Sequence, residues 1–86
     1  IDRYIETEDE IMLIDFKTGT PDASGETAPA IMMQVAAYRD LVGRAKPDKK
    51  ITCGIVWTQI ARLDRLAASD LDAALEDIRA GAFALA

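Results

Sequence analysis

Four consecutive apolar residues, Ile11 to Ile14, lead into Asp15, Phe16 and Lys17, and the run stops at Thr18-Gly19-Thr20-Pro21. An apolar run of this length bounded by turn residues reads as a strand buried on both faces. Side chains alternate along a strand, so Ile11, Leu13, Asp15 and Lys17 share one face while Met12, Ile14 and Phe16 share the other. Two opposite charges therefore point the same way from the end of a core strand. Ile1 to Ile5 alternates in the same manner, and the acidic stretch Glu6 to Glu10 joins the two runs as a solvated hairpin turn. With Glu8-Asp9 at the tip, Thr7 pairs with Glu10, Ile5 with Met12 and Arg3 with Ile14, which sets Asp2 opposite Asp15. Directly opposed residues have Cβ atoms about 4.5–5.5 Å apart, and like charges there destabilise a sheet unless a cation lies between them. A metal ion or Lys17 meets that need. A one-residue slip of register without a bulge would send Asp2 to the other face.

Thr18 to Ala28 carries Gly19, Pro21, Ser24 and Gly25 and reads as a loop long enough to move or to meet a ligand. A helix is predicted from near Pro29 to about Ala45, with Pro29 in its first turn and Lys46-Pro47 ending it. The three-and-four spacing places Ile31, Gln34, Val35, Tyr38, Leu41 and Val42 on one stripe. Gln34 and Tyr38, four residues apart, project polar tips from one side. Lys50 to Thr58 is the second strong strand, with Ile51, Cys53, Ile55 and Trp57 on one face and Gly54 marking close approach of another backbone. After a short turn at Gln59, Ala61 to Leu66 suits a sheet edge because it carries Arg62, Asp64 and Arg65. Ser69-Asp70-Leu71-Asp72 resembles an N-cap with an acidic first turn. Leu71, Ala74, Leu75 and Ile78 then supply the stripe of a last helix that stops at Gly81, leaving Ala82 to Ala86 as a frayed tail. The order β-β-α-β-β-α predicts an α/β (α+β) domain on a mixed sheet.

Composition narrows the classes. Eighty-six residues make one small domain, 1–86, with a thin stability margin. A net charge of −5 without histidine argues against a free-standing nucleic-acid binder, whose affinity rests on clustered Lys and Arg. The single cysteine, Cys53, excludes an internal disulfide, a Cys-based zinc site and a four-cysteine iron–sulfur cluster, and reads as a packed core residue. No apolar run is long enough to span a bilayer and no signal peptide is visible, so a soluble, cytoplasmic protein with no membrane partner is expected. The chain opens inside a strand with no initiating Met, as though cut from something larger.

Asp2, then Asp15-Phe16-Lys17 at the end of the adjacent strand, then a helix bearing Gln34 and Tyr38 in a Gln-x-x-x-Tyr pair, resembles the PD-(D/E)XK nuclease superfamily. The likeness is to the C-terminal nuclease domain of bacterial helicase–nucleases of the AddA and RecB type, nearest to the AddA-like subset. It extends through Ile1-Asp2-Arg3, Asp15-Phe16-Lys17-Thr18 and Ile55-Val56-Trp57-Thr58, most of the chain. The resemblance implies a restriction-endonuclease-like mixed sheet and a Mg²⁺-dependent DNA exonuclease domain, with Mn²⁺ a possible substitute. It implies action in double-strand break repair, an ATP-dependent motor that delivers a single strand of DNA, and an AddB-like partner subunit, in the bacterial cytoplasm.

Hard oxygen ligands around Mg²⁺ supply both an activated water and stabilisation of phosphate charge, which phosphodiester hydrolysis requires. In this reading Asp2 and Asp15 are ligands, the Phe16 backbone carbonyl is a third oxygen by family resemblance, and Lys17 positions water or neutralises phosphate charge. Gln34 and Tyr38 brace the site or contact the DNA backbone. Family members take a further acidic or histidine ligand from a helix upstream of the first strand, and this chain has no such helix. An isolated fragment of this kind is expected to be weak or inactive. Each assignment has a plainer rival: Asp15 and Lys17 as an ion pair capping a strand, Asp2 as an exposed edge residue, Gln34 and Tyr38 as a packing pair. The alternative function is a catalytically inactive nuclease-fold module used for DNA-end binding or subunit docking.

Overall fold

The computed structural model describes residues 2–19 and 28–85. Four strands and two helices follow one another as β1 (Arg3–Glu6), β2 (Glu10–Lys17), α1 (Pro29–Ala45), β3 (Lys50–Trp57), β4 (Arg62–Leu66) and α2 (Ala68–Leu85). The strands form one sheet in the order β1-β2-β3-β4. β1 and β2 pair antiparallel, β2 and β3 parallel through the α1 crossover, and β3 and β4 antiparallel. The fold is a mixed α+β arrangement in the expected element order. Most of the loop expected at Thr18 to Ala28 lies outside the described residues, as do Ile1 and Ala86.

The first hairpin has the register its alternation implies, with Arg3 opposite Ile14, Ile5 opposite Met12 and the Thr7 amide bonded to the Glu10 carbonyl at 2.8 Å. Its turn is shorter than the acidic run: Glu6 and Glu10 lie in the strands. Glu6 is not simply solvated, because the ammonium groups of Lys46 and Lys49, at the far end of the crossover, pair with its carboxylate.

Ile11 and Leu13 of β2 and Cys53 of β3 are buried against Val35 and Ala36 of α1 and Leu71 and Ala74 of α2. Both helices therefore cover one face of the sheet, the face of the odd-numbered residues of β2 and β3. Cys53 is a core residue, and its burial pushes the thiol pKa up. On α1 the stripe differs from expectation: Val35 and Ala36 are buried, whereas Gln34, Tyr38 and Leu41 are exposed. The helix touches two neighbours at once, and small Ala36 admits α2 beside it. Arg39 pairs with Asp72 across that helix–helix contact at 2.7 Å.

α2 begins one residue before Ser69, which is therefore inside the helix. The Ala67 carbonyl accepts the amides of Asp70 and Leu71, both at 3.1 Å. The helix also runs through Gly81 to Leu85. Gly81 has no positive φ, and the flanking Ala80, Ala82 and Ala84 favour continuation over a cap. At Gly54 the close neighbour is β4: an added Cβ would stand 3.2 Å from Leu63 Cδ1 and 3.4 Å from the Asp64 carbonyl oxygen. Among the described residues no helix is long and apolar enough to cross a membrane.

Candidate functional site

Two charged residues occur at the C-terminal end of β2 because the strand there leaves the helix-covered core. Asp15 follows Ile11 and Leu13 on the covered face and is 7 % exposed, the buried charge of this sheet. Lys17, two residues further on the same face, places Nζ 2.9 Å from Asp15 Oδ2. A buried carboxylate is tolerable only with such partners.

Asp2 completes the group from the neighbouring strand. The paired register ends at Arg3 opposite Ile14, and Asp2 lies just before it, outside the strand, with its amide bonded to the Ile14 carbonyl at 3.1 Å. Its Oδ2 accepts the Phe16 amide at 2.8 Å. That bond holds the Asp2 carboxyl below the usual carboxylate range, assisted by a hydrogen bond with the Asp15 side chain and, more weakly, by the Lys17 charge. The two acids therefore lie side by side at the end of β2, Asp2 on the Phe16 amide and Asp15 against the Lys17 ammonium. Even-numbered residues of β2 turn their main-chain groups toward β1, so the Phe16 carbonyl points to the edge where Asp2 lies.

Sequence reasoning missed the far side of this group. Lys17 stands next to Trp57 in the parallel register, and its carbonyl accepts both the amide and the hydroxyl of Thr58, at 2.9 and 3.2 Å. Trp57 Nε1 donates to Asp64 Oδ2 at 3.0 Å, and Arg62 grips the same carboxylate through Nε at 2.6 Å and a terminal nitrogen at 2.8 Å. The Arg62 guanidinium holds the Asp64 carboxyl below its ordinary range against the opposing effect of burial, and the Trp57 indole adds a weaker pull in the same direction as Arg62. The available signal was the Arg62-x-Asp64 spacing on an edge strand, which puts both charges on the face of Trp57. Gln34 and Tyr38 are exposed on α1 and make no side-chain hydrogen bond among the described residues.

Chemically, the strand end offers two carboxylates and a main-chain carbonyl, all hard oxygen donors, beside one ammonium. Mg²⁺ is commonly held by one or two carboxylates together with waters and substrate phosphate oxygens, and this donor set is of that kind. Among the described residues no group of three or more His, Cys, Asp or Glu side chains is gathered as a ready cage. No family model, curated protein or solved structure matches the chain.

Proposed function

We propose that this chain is the core of a metal-dependent deoxyribonuclease domain of the PD-(D/E)XK kind, with a restriction-endonuclease-like sheet. The observation that carries the reading is the convergence of Asp2 and Asp15 from adjacent strands, with Lys17 at 2.9 Å from Asp15. Asp2, Asp15 and the Phe16 carbonyl would hold a divalent ion, which when bound supplies Lewis acidity and an acidified water. Lys17 is the one cation of the group, and it supplies positive charge beside the phosphate on which negative charge develops. Thr58, by gripping the Lys17 carbonyl, fixes the strand end from which that ammonium projects. Gln34 and Tyr38, exposed on α1, are free to meet a DNA backbone.

The reading extends to an exonuclease fed single-stranded DNA by an attached motor in double-strand break repair, with an AddB-like partner subunit. It is tested with the full-length polypeptide that carries this sequence, by following nucleotide release from end-labelled single-stranded DNA during Mg²⁺ or Mn²⁺ titration. Metal-dependent release that Asp15→Asn abolishes, with ATP hydrolysis intact, is the expected result. Unchanged release in that variant, or DNA binding with no cleavage at any metal concentration, would overturn it.

A further inference from the structure

The sheet face turned away from the helices carries an apolar patch and is not covered by any helix that contributes to the core. In register it carries Ile5 from β1, Met12, Ile14 and Phe16 from β2, Val56 from β3 and Leu63 from β4. Ile5, Phe16 and Leu63 are 43 %, 42 % and 51 % exposed. A contiguous apolar surface of this kind marks an interaction site rather than scattered surface hydrophobes. β4 pairs only with Cys53 through Trp57, so beyond its end the start of β3 is open, and a cavity of about 320 Å³ there includes Met12, Ile14, Lys50 and Thr52 in its lining.

The charges on this face have one sign in excess. Arg3, Ile14, Gly54 and Arg65 form a single row across the four strands, which sets one guanidinium at each edge of the sheet. Lys50 adds a third cation, beside which Glu10 is the face's acid. Arg3, Lys50 and Arg65 have no ion pair among the described residues, although the chain holds 15 acids against 10 bases. Three strand spacings of about 4.8 Å separate β1 from β4 by roughly 14 Å, enough to seat one helix about 10 Å across between the two arginines.

We infer that this face docks an amphipathic helix of a partner protein, its apolar stripe on Ile5, Met12, Ile14 and Leu63 and its flanking carboxylates on Arg3 and Arg65. A second copy of the chain would set Arg3 and Arg65 among like charges. Duplex DNA offers no apolar surface, and an anionic bilayer would meet the field of a chain with net charge −5. The inference does not depend on the nuclease reading, since the carboxylate group lies on the opposite face.

The test uses two labelled 18-residue helical peptides with the same Leu stripe, one flanked by Glu and one by Lys, titrated by fluorescence anisotropy. The Glu peptide is expected to bind at least tenfold more tightly, and Arg3→Glu with Arg65→Glu, both at exposed positions, to reverse the order while far-UV circular dichroism is unchanged. Leu63→Asp should weaken the Glu peptide at least tenfold. Should the double variant unfold, Arg65→Gln alone must still narrow the preference. Equal binding of both peptides, preferential binding to phosphatidylglycerol vesicles, or self-association in sedimentation that blocks the Glu peptide would each overturn the inference.

Discussion

Oδ2 of Asp2 accepts the main-chain N–H of Phe16 at 2.8 Å, just beyond the last paired position of the hairpin, Arg3 with Ile14. The carboxylate is thereby fixed to the backbone of β2, and its place beside Asp15 follows from that bond rather than from a free rotamer. Asp2→Asn retains an acceptor oxygen, whereas Asp2→Ala leaves the Phe16 amide to water. Amide hydrogen exchange should thus quicken at Phe16 in Asp2→Ala, stay near the parent rate in Asp2→Asn, and remain slow at Leu13 in both. An unchanged Phe16 rate in Asp2→Ala would remove the side chain from the sheet's bonding.

The other end of the same hairpin sets an acid limit. The Glu6 carboxyl is held down to about 2 from an ordinary 4.5 by its hydrogen bonds from Lys49 and then from the Tyr4 hydroxyl, with the Lys46 charge adding less. A folded-state value below the unfolded one contributes stability that is complete above about 4.5 and is lost as pH falls from there toward 2. Thermal unfolding midpoints should therefore fall across that window, and the fall should be shallower in Glu6→Gln. The pairing is exposed, so 1 M salt should also reduce the difference between the two proteins. Parallel pH curves for the parent and Glu6→Gln would rule the pairing out as a source of the slope.

The hairpin was legible because a buried face and a short turn both constrain register, and one choice satisfies the two. The pairing of Glu6 was not, since its cations Lys46 and Lys49 arrive only when the crossover closes, some forty residues away in sequence. The stripe of α1 failed for a related reason. A single apolar arc is the pattern of a helix with one neighbour, but α1 packs against β3 and α2 together, and Ala36 rather than Leu41 faces inward. At Ser69 a good capping residue lost to the Ala67 carbonyl two residues earlier, which accepts the amides of Asp70 and Leu71. Asp15 and Lys17 were legible as a pair from period-two spacing, while Trp57, Arg62 and Asp64 needed the sheet order to bring them alongside.

Gly43 lies within α1, where glycine is less favourable than alanine by about 0.5–1 kcal/mol because it loses more backbone freedom on folding. A Cβ there would stand 3.5 Å from Ile51 Cδ1, an ordinary van der Waals contact. Gly43→Ala should consequently stabilise the chain by about that amount and raise Tm by about 2–8 °C, given roughly 4–8 °C per kcal/mol for a domain this small. A lowered Tm would mean that α1 and β3 sit closer than the 3.5 Å gap allows.

Asp15 and Lys17 form a pair whose two halves are unequally exposed, with side chains 10 % and 29 % accessible. Lys17→Met strands a nearly buried carboxylate, and the loss of its partner should cost about 1–3 kcal/mol, toward the lower end because water reaches the ammonium side. Asp15→Asn costs less, about 1 kcal/mol, since the amide keeps a hydrogen-bonding group and the freed lysine can extend its stem to solvent. In the double variant no charge is left behind, so the losses should fall short of additive, a coupling measurable in a double-mutant cycle by urea denaturation. Equal single losses that sum without coupling would show that the 2.9 Å contact contributes nothing to stability. The unequal outcome would instead identify Lys17 as the group that makes a carboxylate tolerable at this depth.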